Sequence, residues 1–171
     1  RDSFRISPMK FVKMHGAGND YVYVNCFTQP SPKNAPEVAI AISHRRFGVG
    51  ADGLILVEPS KVADARMRMF NADGSESEMC GNGIRCVAKL VHDHGICQRE
   101  NLRIETGAGV LSLDLIIRNG LAELITVDMG EPITAPEKVP TTLSQSPVVD
   151  LPFTFDQREL KVTCVSMGNP H

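Results

Sequence analysis

The run GIRCVAKLVHDHG, Gly83 to Gly95, carries its apolar residues at helical spacing in a chain whose other patterned segments mostly alternate as strands. Ile84, Val87 and Val91 share one face, Cys86 and Leu90 widen it, and Gly95 closes it. A second helix is expected over NAPEVAIAISHRRFG. There Pro36 suits the first turn, Val38 and Ile42 sit one turn apart, Arg45 and Arg46 favour the C-terminal dipole, and Gly48 ends the run. Two helices among many strands restrict the chain to a mixed α/β class of the α+β type, in which a helix face and a sheet face bury each other.

The strands are legible from alternation and from what interrupts it. KFVKMH and YVYVNCF flank GAGND; GLILVEP reads as a buried strand, and ARMRMF alternates up to Asn71. LRIET, GVLSLDLII and LAELITVDMG follow, the last two joined by the hairpin turn RNG. EPITAPEKVPTTLSQSPVVDLP is rich in proline, serine and threonine and reads as extended loop, and RELKVTCVSMGNPH begins a further strand. Residues beyond about 125 hold too few elements for a core of their own, so the expected division is a first domain over 1–124 and the beginning of a second over 125–171. The echo between VKMHGAGND and TCVSMGNPH fits a second copy starting there.

Composition bounds the function. The chain has 171 residues, 42% of them hydrophobic, with a net charge of -2. That suffices for one good core, and the near-neutral balance lacks the basic footprint of a nucleic-acid or acidic-membrane binder. No apolar run reaches the roughly 20 residues of a membrane span. Met9 could be the natural start, with Arg1 to Pro8 either an extension or a processed leader. Cys26, Cys80, Cys86, Cys97 and Cys164 are odd in number and irregular in spacing, which argues against a disulfide framework and for free thiols in a reducing compartment.

Cys80 stands apart from the other four. It precedes Gly81, Asn82 and Gly83 and then the helix. Glycines let backbone approach a ligand, and the free amides of a helix start suit a carboxylate. The same positive end favours a thiolate, so a thiol there could exchange a proton beside a bound carboxylate. The alternatives are a small core residue or half of a thiol pair with Cys86. Cys86, on the core face, reads as structural, and His92 and His94 read as helix-surface residues. Asn19 and Asn71, at strand ends, are either turn formers or substrate clamps.

FVKMHGAGNDYVYV, FGVGADGLILVEP, MFNADGSESEMCGNGIRCVAK and SMGNPH, in this order, closely resemble diaminopimelate epimerase. The resemblance covers most of residues 9–131 and resumes over 160–171. It implies a cofactor-independent isomerase that interconverts LL- and meso-diaminopimelate in lysine and cell-wall precursor synthesis. The implied fold has two pseudo-symmetric domains, each a curved, mostly antiparallel sheet wrapped around a central helix, here Gly83 to His94, with the second domain truncated in this chain. It implies a small-molecule substrate in the cleft between domains, no cofactor, no metal, no nucleic acid or membrane partner, a homodimer at full length, and a cytoplasmic or plastid location.

Inverting an α-carbon means taking its proton from one face and returning one to the other. Two thiols on opposite faces, one thiolate and one thiol, meet that need. Without pyridoxal, charge developing towards the α-carboxylate must be met by fixed N–H donors in a site that excludes water. By the resemblance, Cys80 is one of the two catalytic thiols and His171 pairs with it. Gly81 and Asn82 contact substrate largely through their amides, and Asn19, Asn71 and Asn169 hold it. At Gly53 some members carry a substrate-contacting glutamine. The second catalytic cysteine, a Glu-Arg pair and a further asparagine belong to the family's second domain and are expected outside these 171 residues, which would leave them inactive alone. Cys164, on the strand before GNPH, does not match that cysteine. Competing readings are a proline or hydroxyproline racemase of the same fold group, a binding or oligomerisation module built on half an enzyme, and a thiol redox or zinc protein using Cys80 and Cys86.

Overall fold

The computed structural model describes residues 8–167. They form two compact units, one ending at Asp128 and the other starting at Met129. Asn169 and His171 lie outside the described residues.

The first unit is built on one sheet. Its strands are β1 (Val12–Gly16), β2 (Asn19–Asn25), β3 (Gly53–Glu58), β4 (Ala65–Asn71), β5 (Glu76–Ser77), β6 (Asn101–Thr106), β7 (Gly109–Arg118) and β8 (Leu121–Val127). They lie in the order β1-β2-β3-β4-β6-β7-β8, with β5 paired to β4. Only β2–β3 and β4–β6 are parallel; the other pairings are antiparallel. Two helices, α1 (Ala35–Ser43) and α2 (Gly81–Asp93), complete the unit.

Helix α2 contacts both β1 and β8, the two ends of the sheet, as well as β2, β4 and β6 between them. A sheet can touch one helix with both its ends only by curling around it. The apolar face read from the sequence is what it encloses: Ile84, Val87, Leu90 and Val91 are buried against Tyr23, Ile55, Met67, Ile104 and Leu113. The opposite face of the sheet buries Val22, Val24, Leu54, Leu56 and Phe70 against Val38 and Ala39 of α1. β3 is therefore covered on both sides, which accounts for its unbroken apolar run.

Three local expectations need correction. Helix α2 starts at Gly81, two residues before the expected Gly83, because Cys80 itself is the N-cap and its carbonyl accepts the first helical bond from the Ile84 amide. Helix α1 stops at Ser43 with an extended His44, so Arg45 and Arg46 are not in its last turn; Arg45 is drawn instead to two carboxylates. His92 is buried rather than on the helix surface. The end of α2 packs against β8, where Asp93 accepts the Ala122 amide at 2.8 Å, Lys89 donates to the Ala122 carbonyl at 2.5 Å, and the His92 ring lies 3.1 Å from Asp93.

The RNG turn forms as expected, with Asn119 and Gly120 both in left-handed backbone between β7 and β8. The second unit holds a hairpin of β9 (Leu151–Phe155) and β10 (Arg158–Val162). The first two residues of β9, Leu151 and Pro152, fall in the stretch expected to be loop. Ile133 and Ser166 exchange backbone hydrogen bonds at 2.9 Å, and the Cys164 amide donates to Val148, which is fully buried.

Candidate active site

Every sequence-derived candidate in the first unit collects at one end of its sheet. Parallel pairing of β2 with β3 sets Tyr21 beside Gly53, and antiparallel pairing of β3 with β4 sets Gly53 beside Asn71. Asn19 opens β2 at that same end, and Cys80 caps α2 there. The end of β1 is equally close: a Cβ on Gly16 would stand 2.8 Å from the Asn82 carbonyl oxygen. Position 53 admits no side chain in this backbone, since a Cβ there would collide with the Phe70 carbonyl and come within 2.8 Å of the Tyr21 ring. The glutamine of some family members thus has no counterpart in this chain.

The Cys80 sulfur has two partners of opposite kind. It accepts from the Gly83 amide at 3.3 Å and donates to Asn19 Oδ1 at 3.4 Å. A thiolate satisfies the first contact and a thiol the second. A Cβ on Gly83 would stand 2.8 Å from Ile55 Cδ1 in the core below, so that side chain would have to shift. Among the described residues nothing accepts from the Gly81 and Asn82 amides, so two donors remain at the positive end of α2. Arg85 braces this turn by donating to the Gly81 carbonyl at 2.9 Å and to Asn82 Oδ1 at 2.6 Å. The Asn82 side-chain oxygen is thereby engaged within the helix.

Tyr21, buried beside the site, has its phenol raised above the ordinary value by burial first and by the neighbouring Cys80 sulfur next. Cys86 occupies a different environment. It is buried in the core, and burial pushes its thiol up. All five cysteines are free. At the end of β4 beside Gly53, Asn71 Nδ2 donates to Ser75 Oγ at 2.9 Å, and the Asn71 amide donates to the Ser75 carbonyl at 2.8 Å. Asn71 is a turn former here, and its Oδ1 accepts from no group among the described residues.

Behind Asn19 lies a charged group that the sequence reading did not single out. Asn19 Nδ2 donates to Asp52 Oδ2 at 2.7 Å, and the Asp20 amide donates to the same oxygen at 3.1 Å. Arg45 bridges Asp52 Oδ1 at 2.9 Å and Asp20 Oδ1 at 2.7 Å, while Lys13 reaches Asp20 at 3.1 Å. Hydrogen bonding to Arg45 holds the Asp20 carboxyl well below the usual carboxylate range. Asp20 and Asp52 stand beside recognised motif residues, in GND and GAD, but their convergence on Arg45 requires β2 and β3 to pair first.

A protein-family model described as diaminopimelate epimerase matches residues 11–135. The chain is 54% identical over 163 residues to the diaminopimelate epimerase of Acetivibrio thermocellus and 51% identical over 163 residues to that of Methanococcus maripaludis. Each alignment takes in 95% of this chain and 58% of the relative, so the chain spans well under two thirds of the curated relatives it matches. Among solved structures, a probable proline racemase from Agrobacterium radiobacter superposes with a TM-score of 0.62 at 16% identity, over 92% of this chain and 49% of that one. A methylitaconate-delta-isomerase superposes at 0.61 and 17% identity, over 95% and 51%. At such identities the likeness is one of fold.

Proposed function

The chain belongs to the diaminopimelate epimerase family, and from that premise we propose that it supplies one proton-transfer half of an enzyme interconverting LL- and meso-diaminopimelate. The observation that carries this reading is the pair of contacts on Cys80, one suited to its thiolate and one to its thiol. A group that must take a proton in one direction and give it in the other needs both states to be accommodated.

In this mechanism the α-carboxylate of the substrate accepts from the free Gly81 and Asn82 amides at the start of α2. Those donors, fixed before substrate arrives, meet the negative charge that builds towards the carboxylate as the α-proton leaves. Cys80 handles the proton on one face. Asn19 and Asn71 flank the substrate from the ends of β2 and β4. Cys86 cannot serve the other face, being buried in the core. The opposing thiol, and with it turnover, belongs to the rest of the intact protein, whereas Asn169 and His171 of this chain are proposed to add to the site from the second domain. The proposal extends to a homodimer of that protein in a reducing compartment, cytoplasm or plastid, and needs no cofactor.

The test is isotope exchange in the intact protein. LL-diaminopimelate in deuterium oxide should gain α-deuterium with inversion, and L-proline offered in parallel should gain none. Conversion of proline alone would overturn the assignment.

A further inference from the structure

Resting on the reading of Cys80 as a proton-transfer thiol, we propose that Asp52 is a positioning residue: it fixes the Asn19 side chain with its oxygen towards the Cys80 sulfur. A carboxamide has one donor end and one acceptor end, and which end faces which neighbour is decided by the network around it. An ionised carboxylate only accepts. Asp52 Oδ2, 2.7 Å from the Asn19 side-chain nitrogen, therefore claims the NH2 end and turns the oxygen to the thiol at 3.4 Å.

Asp52 is itself held at both oxygens. The Asp20 amide donates to Oδ2 at 3.1 Å and Arg45 to Oδ1 at 2.9 Å, while the Asp52 amide donates back to the Asp20 carbonyl at 2.7 Å. Arg45 is anchored in turn on Asp20. This carboxylate is thus locked in orientation without touching the sulfur.

The consequence is chemical. With its oxygen inward, Asn19 stabilises the S–H form of Cys80, while the Gly83 amide stabilises the thiolate. Were Asn19 free to turn, its NH2 end could face the sulfur, both partners would favour thiolate, and the residue would be a poor proton donor. Asp52 thereby keeps an acceptor for the S–H on one side of the sulfur, opposite the Gly83 amide that donates to it.

The experiment is alkylation of Cys80 by iodoacetamide in the intact protein at fixed neutral pH, followed on the Cys80 peptide by mass spectrometry, with kcat and KM measured alongside. Only the thiolate reacts. Asp52→Ala is expected to raise the Cys80 rate about threefold to tenfold, the worth of one hydrogen bond to the thiol, and to lower kcat with little change in KM. Asn19→Ala should raise it similarly, and the double variant should match Asn19→Ala alone. Independent, multiplying effects in the double variant would overturn the proposal. Should Asp52→Ala not fold, an unchanged rate in Asn19→Ala overturns it by itself. Alkylation needs no substrate, so failure of the epimerase reading would show separately, as absent α-deuterium exchange with this reactivity pattern intact.

Discussion

The Gly83 backbone amide donates to the Cys80 sulfur across 3.3 Å, closing the first turn of α2 on the residue that caps it. Serine would cap the helix as well or better, so structure alone does not explain a cysteine there. The proposed proton transfer would. Cys80→Ser is accordingly expected to keep the fold and to cost the intact protein at least about a hundredfold in kcat, the range for removing a general acid or base. Cys86 is buried with its thiol pushed up, and on the proposed division of roles Cys86→Ser should leave most of the activity at some cost in thermal stability. Steady-state rates and melting curves of the two variants decide this, and equal losses of activity would contradict the division of roles.

Gly53 offers a purely steric prediction. A Cβ at this position meets the Phe70 carbonyl and the Tyr21 ring, on the two strands that flank β3. Gly53→Ala should destabilise the fold by about 1–3 kcal/mol, the cost of overpacking a close-packed site. Urea unfolding measures it. A variant as stable as the parent would mean that β3 and β4 separate more readily than their pairing indicates.

Much of this arrangement was legible in the sequence because it is local. The period of α2, the alternation of β4 and the RNG turn depend on residues a few positions apart, and each formed. What was missed depends on distant partners or on turns without their usual residues. Arg45 was read as ending a helix because Asp20, 25 residues away, becomes its partner only once β2 and β3 pair. His92 was read as exposed because the strand that covers its end of the helix lies some thirty residues on. β9 carries Pro152, and its turn places Asp156 and Gln157, rather than glycine, at positive φ of 48° and 61°, which hides the hairpin from any glycine-based signal.

The Asp20–Arg45 pair predicts an acid dependence. Arg45 depresses the folded-state Asp20 pKa below its unfolded value. The stabilisation is therefore fully present above the unfolded value, about 3.9, and is lost as pH falls through the folded one. Arg45→Gln should bring the Asp20 carboxyl back towards the ordinary range and move the acid-unfolding midpoint to higher pH. Carboxyl titration by NMR together with acid denaturation of the variant checks both, and an unmoved Asp20 titration would show that Lys13 and the local amides suffice.

Asn71 remains both turn former and proposed clamp, and two substitutions separate the roles. Its Nδ2 is engaged by Ser75 within the turn, while its Oδ1 faces no partner among the described residues. Ser75→Ala removes the turn contact and leaves the Asn71 side chain in place. Asn71→Ala removes both. If Asn71 accepts from the substrate ammonium, Asn71→Ala should raise KM about tenfold or more, as expected for a hydrogen bond to a charged group, whereas Ser75→Ala should shift the melting temperature and leave KM within about twofold. Parallel KM values for the two variants, measured on the intact protein with LL-diaminopimelate, distinguish the cases: equal changes would assign Asn71 to the turn alone, and a change confined to Asn71→Ala would assign it to the substrate.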